Sequence, residues 1–239
     1  MKYYEVHIPY FIAKRDPGFE IKDGETAMES QIKIVKDLFS SLIPTQIFKA
    51  NKRLADFLSP SADLSSRIIL STRAKALIER YRKGNIRYYP CPIMRGKEMV
   101  SDYWITDKVT FDDEWVDFPK SEFFFRKRKL ISNESEIRLK YEVTEQIIQF
   151  KDLDDFNKFR NEKMWHMDER FPFKIFIKKG CPHHILSIHT TGPRYLIVSE
   201  ELKNEMQIQK MNKGIEFKPL EIPDEEWFGP NGLRKQFYS

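Results

Sequence analysis

The sequence predicts an α+β fold with mixed sheets, in which two similar strand–helix–strand units flank a β-rich middle. The first unit is RIILSTRAKALIERYRKGNIRYYPCPI, residues 67–93, and the second is RYLIVSEELKNEMQIQKMNKGIEFKPLEI, residues 194–222. In both, a serine follows a short aliphatic run and a proline closes the returning strand. The aromatic content of 14%, with 19 Phe and 10 Tyr, is also typical of a β-containing core.

Before the first unit, the chain begins with a predicted strand. Residues 1–9, MKYYEVHIP, alternate with a period of two, which favours a strand over a cleaved signal peptide. Pro17 and Gly18 then predict a turn. The segment 25–39, ETAMESQIKIVKDLF, permits either a helix or a strand, and residues 51–66 are predicted to form a connector.

In the first unit, residues 68–70 predict a short buried strand, and Ser71 predicts the N-cap of a helix. The helix itself is predicted from one apolar face at i, i+3, i+4 and i+7, made by Ala74, Leu77, Ile78 and Tyr81. Gly84 and Asn85 tolerate the left-handed conformation that ends a helix. The strand is predicted to return at residues 86–93.

In the second unit, residues 195–198 predict the strand and Ser199 the cap. Glu200 and Glu201 fill the first turn, where negative charge meets the positive end of the helix dipole. Gly214 ends the helix, and residues 215–222 return as a strand. A weaker apolar face is made by Leu202, Met206 and Met211.

The two units keep nearly the same spacing, since Ser71 precedes Pro90 by 19 residues and Ser199 precedes Pro219 by 20. All strand–helix–strand units share caps and glycines, which is one explanation of the similarity. The ordered agreement of Ser, Gly, Ile, an aromatic residue and Pro favours the other explanation, a shared architecture.

Between the units, residues 96–131 are aromatic and β-rich, with predicted turns near Gly96, 112–113 and 119–120. A short helix is predicted over 153–163, and the alternation of Phe171, Phe173, Ile175 and Ile177 predicts a strand. We expect one α+β domain over residues 1–239, or two lobes centred on 67–93 and 194–222.

Composition bounds the location and the partners of the chain. The 41 basic and 36 acidic residues give a net charge of +5, a small surplus that permits but does not require contact with nucleic acid. No apolar run approaches the roughly 20 residues that span a bilayer, so we expect no membrane partner. Cys91 and Cys181 are too few for a disulfide framework, which predicts a cytoplasmic protein.

Motifs for catalysis are missing from the sequence: it contains no GxGxxG, GxxxxGK[ST], GxSxG or HExxH, and only 9 glycines. We therefore expect a protein that is not an enzyme and needs no cofactor. The weak metal-site candidates are Cys181, His183, His184 and His189. Their spacing matches no compact zinc pattern, and a turn with solvated or structural histidines is the favoured interpretation.

Two acidic turns each contain a tryptophan, and they are the candidate partner-binding residues: Asp112, Asp113, Glu114 and Trp115, and Asp224, Glu225, Glu226 and Trp227. An exposed tryptophan ringed by charge is a frequent anchor at protein interfaces. A buried tryptophan beneath a charged turn is the alternative, and the sequence leaves both open.

A basic run follows three phenylalanines in FFFRKRKLI, residues 123–131, and consists of Arg126, Lys127, Arg128 and Lys129. Such a run could bind single-stranded nucleic acid, with stacked bases and neutralised phosphates. A strand with a charged edge that discourages aggregation is the favoured interpretation.

The paired phrases 68–90 and 195–219 resemble a group of bacterial immunity proteins associated with polymorphic toxin systems. Its pattern is (I/V)(V/L)S-x-x-hydrophobic, then G(I/V)-x-F-x-P, in some members twice. Further matches are Asp102-Tyr103-Trp104, Val116-Asp117-Phe118 with Ser121, and FPFKIF before the second unit. The resemblance covers much of residues 67–222.

This resemblance implies a non-catalytic, cytoplasmic inhibitor that binds and occludes a cognate toxin protein. It implies no cofactor and carries over no catalytic residue. The alternatives are a single-stranded nucleic-acid-binding protein and, less favoured, an enzyme with a metal site made by the cysteine and histidine residues above.

Overall fold

The computed structural model describes residues 1–8, 43, 45–49, 54–61, 64, 67–133, 139–163, 169–190 and 196–238. Its architecture is α+β, as the sequence predicts. The predicted turn at Pro17 and Gly18, the segment 25–39, and residues 51–53, 62–63 and 65–66 of the predicted connector lie outside the described residues. The described part of the connector contains a short strand, Phe57–Leu58, which the sequence did not predict.

The strands are β1 (Tyr3–His7), β2 (Gln46–Phe48), β3 (Phe57–Leu58), β4 (Ile69–Ser71), β5 (Ile86–Pro90), β6 (Ile93–Arg95), β7 (Glu98–Val100), β8 (Tyr103–Lys108), β9 (Glu122–Asn133), β10 (Leu139–Ile148), β11 (Glu169–Lys174), β12 (Ile185–Leu186), β13 (Leu196–Ser199) and β14 (Glu216–Pro219). The helices are α1 (Thr72–Tyr81), α2 (Leu153–Lys163), α3 (Glu200–Ile208), α4 (Asp224–Phe228) and α5 (Arg234–Phe237). None of these helices is long and apolar enough to cross a membrane.

The two predicted units are β4–α1–β5 and β13–α3–β14, and they have the same sheet topology. Their strand orders are β3-β4-β8-β5 and β12-β13-β1-β14. In each, a central strand lies antiparallel between the two strands of the unit, which are therefore parallel to one another. The central strand β8 follows its unit along the chain, whereas β1 comes from the start of the chain. The prediction of two similar units is confirmed, with connections that differ by a circular permutation.

Equivalent hydrogen bonds repeat at the start of each helix. The Ser71 hydroxyl accepts the amide of Ala74 at 3.2 Å, and the Ser199 hydroxyl accepts the amide of Leu202 at 3.2 Å. Both serines have extended backbones, as N-cap residues do. The caps predicted from the sequence are therefore present in both units.

The strands beside the caps repeat as well. The amide of Ser71 donates to the carbonyl of Asp56 at 2.9 Å, and that of Ser199 donates to the carbonyl of His184 at 2.8 Å. Asp56 and His184 each directly precede the edge strand of their own sheet. Their side chains also bond the cap hydroxyls, at 2.6 Å from the Asp56 carboxylate and 2.9 Å from His184 Nδ1.

The helices of both units line one hydrophobic core. This core contains buried residues of each unit, of the central strand β1 and of the edge strands β3 and β12: Val6, Phe57, Ile68, Leu70, Ala74, Leu77, Ile78, Ile86, Ile185, Leu196, Val198, Leu202, Met206, Met211, Ile215 and Phe217. Because apolar burial stabilises both units through the same contacts, we expect them to unfold together.

Polar contacts between the helices show that α1 and α3 run antiparallel. Arg73, near the start of α1, donates to the carbonyls of Gln209 and Lys210, just past the end of α3. Arg80, near the end of α1, pairs with Glu205 at 2.9 Å.

Each unit's sheet has a second core on its other face. Beneath the second unit lies an aromatic cluster that joins β9, α2 and β1, and its buried rings include Phe118, Phe123, Phe125, Phe150 and Phe156. Beneath the first unit, the three-stranded sheet β2-β6-β7 contributes Phe48 and Ile93.

The helix predicted over 153–163 is confirmed as α2. The strand predicted through Ile177 instead ends at Lys174, and Ile177 forms an isolated bridge with Val116.

Candidate protein-binding surfaces

The two aspartates of the first acidic turn are buried and make internal polar contacts, so they do not form a charged surface. Asp112 is 2% exposed, and its carboxylate forms a bidentate pair with Arg82, at 2.7 and 2.8 Å. The same carboxylate accepts the amide of Ser187 at 2.8 Å, while Arg82 also donates to the carbonyl of Ile185 at 2.6 Å. Asp112 therefore ties the end of α1 to the segment that forms β12.

Asp113 has the same kind of role. It is buried and accepts the amides of His189 and Thr190 at 3.0 and 2.8 Å. The prediction that Asp112 and Asp113 contact a partner is wrong, because both side chains are buried. Their carboxylate oxygens already accept hydrogen bonds from backbone amides of this chain. Glu114 remains exposed, and the half-buried Trp115 packs edge-on against His183, with ring centroids 6.0 Å apart.

In the second acidic turn, the sequence left open whether Trp227 is exposed, and the structure buries it, with 1% of its surface accessible. Its ring stacks on Phe237 at 5.7 Å and packs edge-on against Tyr238 at 6.4 Å. The three carboxylates before it, Asp224, Glu225 and Glu226, are exposed on α4. The tryptophan is thus the internal support of a charged surface.

The C-terminal segment, residues 220–238, is held on the second unit by polar contacts. Arg234 forms a bidentate ion pair with the buried Glu216. The Tyr238 hydroxyl accepts a hydrogen bond from the backbone amide of Phe217 at 2.8 Å, which satisfies an amide donor on the edge strand β14. Because these contacts join the segment to a sheet, they fix the surface that it displays.

That surface combines carboxylates with exposed aromatic rings. Phe228 is 42% exposed and Phe237 is 67% exposed, while most large apolar side chains of the described chain are buried. We call the set Asp224, Glu225, Glu226, Phe228 and Phe237 the C-terminal patch. Aromatic residues are enriched where proteins bind other proteins.

A buried charged cluster, which the sequence pattern did not predict, lies beneath this segment. Glu5 lies opposite Lys218, and His7 lies opposite Glu216, on neighbouring strands β1 and β14. Glu5 and Lys218 are both buried, 4.0 Å apart, and Lys218 also pairs with Asp224. The alternation of Tyr3, Glu5 and His7 was visible, but local sequence could not show that residues 224–238 cover this face.

Burial raises the pKa of Glu5 to about 7, against the opposing attraction of Lys218. The pKa of His7 is lowered by burial. A carboxyl whose pKa is higher in the folded chain retains a proton that the unfolded chain releases. The contribution of Glu5 to folding stability therefore falls as the pH rises from the ordinary glutamate pKa through about 7.

We predict that Glu5→Gln changes the pH dependence of stability. The variant lacks this titration, so its free energy of unfolding, relative to the unsubstituted chain, should increase between about pH 5 and about pH 8. Urea denaturation at several pH values measures the difference. Glu225→Gln, at an exposed position, is the control and should show no such trend. A relative stability of Glu5→Gln that stays constant or falls with pH would contradict the assignment.

The basic run lies on β9, and its preceding aromatic residues belong largely to the core. Phe123 and Phe125 are buried, and Phe124 is half-buried. Arg126 pairs with Glu145 on β10 at 2.9 Å. Lys127 is half-buried and Lys129 is exposed, while the side chain of Arg128 lies outside the described residues. Phe123 and Phe125 are thus not placed to stack on nucleic-acid bases.

The cysteine and histidine candidates do not converge. Cys181 is buried, His184 bonds Ser199, His183 packs on Trp115, and His189 packs on Phe111 at 5.3 Å. Among the described residues, no group of three or more His, Cys, Asp or Glu side chains could hold a metal ion. Burial raises the pKa of the Cys91 thiol to about 12, which keeps it in the unreactive protonated form.

An open cavity of about 320 Å³ lies between Glu114 and the start of α2. Its apolar lining includes Val116, Phe118 and Leu153, and its charged lining mixes carboxylates with Lys151 and Lys178. Lys178 already donates to the carbonyl of Glu114 at 2.7 Å. Four carboxylates, Asp113, Glu114, Asp152 and Asp154, line this cavity against the two lysines.

No protein-family model matches this chain, and a search of curated proteins finds no significant match.

Proposed function

We propose that this chain is a cytoplasmic immunity protein that binds a cognate bacterial toxin and neutralises it by occlusion, without catalysis. The observation that carries the proposal is the C-terminal patch, where two exposed phenylalanines stand beside three exposed carboxylates. The resemblance of the paired units to immunity proteins points to the same class.

The charge of the patch indicates the chemistry of the partner surface. The whole chain has a net charge of +5, so attraction to a basic protein must be local. Glu225 and Glu226 supply such a local acidic surface next to Phe228, whereas the charge of Asp224 is paired with Lys218. A toxin that acts on nucleic acid carries basic groups around its site, and carboxylates placed over them would exclude the phosphate backbone.

The support beneath the patch favours tight binding. Trp227 is buried, and Glu216 holds Arg234 on α5, so the patch is ordered before a partner arrives. Binding then loses less conformational entropy than it would with a flexible segment. A rigid aromatic side chain such as Phe237 fits the usual properties of an interface anchor.

The test uses the purified chain and each toxin domain encoded beside its gene, with binding measured by titration calorimetry. We expect one toxin domain to bind, and Phe237→Ala together with Glu225→Lys to weaken that binding by at least about tenfold. Ile208→Ala is the matched control, because Ile208 is an exposed apolar residue on α3, outside the patch. The absence of any complex, or equal binding by all variants, would overturn the proposal.

A further inference from the structure

The end of the chain, residues 223–238, forms a compact unit that we call the strap. Its backbone amides bond to carbonyls of the strap itself, as they do at residues 227, 229, 232, 233 and 238. Gly232 lies so close to the carbonyl of Trp227 that a Cβ atom would clash with it. The ring of Trp227 also packs on Phe237 and Tyr238 within the strap. These internal contacts allow the strap to move as one body.

The strap joins the rest of the protein through a short turn at residues 221–222. Leu220, directly before this turn, belongs to the aromatic cluster, and its amide donates to the carbonyl of Tyr3 at 3.3 Å. The carbonyl of Leu220 accepts the amide of Ile175 at 2.9 Å. Leu220 is therefore fixed to the sheet, and the turn after it is the place about which the strap can rotate.

The face of the sheet beneath the strap is polar, unlike the faces that α1 and α3 cover. Its charged or titratable residues lie opposite one another on β1 and β14, and they are Glu5, His7, Glu216 and Lys218. Val6 and Phe217, on the opposite face, belong to the apolar core beside α3. A permanently closed contact is normally apolar, because charged groups lose hydration on burial. The face beneath the strap regains that hydration when it is uncovered.

The contacts between the strap and this face are ones that water can replace. They include the ion pairs Arg234–Glu216 and Asp224–Lys218, and the hydrogen bond from the Phe217 amide to the Tyr238 hydroxyl. Phe228 adds a ring contact with His7, with centroids 5.2 Å apart. Polar groups form new hydrogen bonds with water when such contacts break, so the net cost of separation is modest. The sheet β12-β13-β1-β14 keeps all its strand pairings without the strap.

We propose that the strap opens and closes as one unit about the turn at residues 221–222, while the sheet beneath it stays folded. The closed form displays the C-terminal patch in a fixed place, because all residues of the patch lie on the strap. The open form releases the patch and exposes the polar face and the edge of β14. Opening thus controls whether the patch is available in its ordered form. The inference goes beyond the proposed function and does not depend on it, since it concerns the chain alone.

Amide hydrogen exchange of the full chain, followed residue by residue by NMR, tests the proposal. The amides of residues 227, 229, 232 and 233 should share one protection factor, because they become exchangeable in the same opening event. This factor should be at least about tenfold lower than that of Val198 on β13. The amide of Phe217 should follow the strap, because its acceptor is the Tyr238 hydroxyl.

Arg234→Ala should accelerate exchange of the strap amides by one common factor of at least about tenfold. The reason is that the buried Glu216 loses its partner in the closed form, whereas water solvates it in the open form. Exchange at Val198 should be unchanged. Gln236→Ala is the matched control, because Gln236 is an exposed residue of the same helix α5, and it should change exchange by no more than about twofold.

Two kinds of result would overturn the proposal. Strap amides as well protected as Val198, or acceleration of Val198 together with the strap in Arg234→Ala, would show that the strap opens only when the whole protein unfolds. Unequal protection factors along the strap, or acceleration confined to residues 234–238, would show fraying from the end of the chain. Should Arg234→Ala not fold, the exchange pattern of the unsubstituted chain still decides.

Discussion

Replacing Ile78 by alanine is expected to destabilise both units of the fold together, by about 2–5 kcal/mol. Ile78 lies on α1 and is fully buried in the core that also contains Leu202 and Met206 of α3. Truncation removes apolar contacts and leaves a cavity shared by both helices. Urea denaturation measures the loss, and amide exchange should accelerate at Ile197 and Val198 on β13 as well as at Leu70 on β4.

Ile208→Ala is the matched control for this substitution. Ile208 also lies on a helix but is 75% exposed, so its truncation should change stability by no more than about 0.5 kcal/mol. Faster exchange confined to the first unit in Ile78→Ala would show that the two units are stabilised separately. That result would contradict the shared core.

The second large effect is expected for Asp112→Ala, which should cost about 3–5 kcal/mol. The substitution leaves the guanidinium of Arg82 without its carboxylate, although the side chain of Arg82 is only 15% exposed. It also removes the acceptor of the Ser187 amide, which is buried. A buried charge without its partner is far more costly than the loss of an exposed ion pair.

Glu98→Ala provides the comparison, because Glu98 forms an ion pair with Arg95 while 59% of its side chain is exposed. We expect this control to cost at most about 1 kcal/mol in the same denaturation experiment. The double variant Arg82→Ala with Asp112→Ala should cost less than the sum of the single variants, since the two side chains interact directly. Equal losses of unfolding free energy in Asp112→Ala and Glu98→Ala would refute the conclusion that the buried Asp112–Arg82 pair stabilises the fold.

Local patterns in the sequence predicted the elements that depend on neighbouring residues. Ser71 and Ser199 are caps, and the buried residues of α1 are Ala74, Leu77 and Ile78, as their spacing indicates. The order of the strands could not be predicted in this way. That β1 lies between β13 and β14 depends on contacts across about 190 residues or more, and period-two patterns contain no information about which strands pair.

The candidate site residues show the same limit. Acidic residues around a tryptophan are common in exposed turns, and Glu114 and Glu225 are indeed exposed. Asp112 is buried against Arg82 and Ser187, which are 30 and 75 residues away along the chain. Its burial could therefore not be predicted from neighbouring residues. The exposure of Phe237 likewise depends on how α5 packs on Trp227, which no nearby residue pattern indicates.

The most direct measurement is the growth of bacteria that express one neighbouring toxin domain in the cytoplasm, with and without this chain. We predict that the chain restores growth, that it co-purifies with the toxin domain, and that charge reversal at Glu225 and Glu226 reduces both effects. Continued growth arrest with every neighbouring toxin domain, although the chain is folded and abundant, would contradict the central claim that it is a toxin-binding immunity protein.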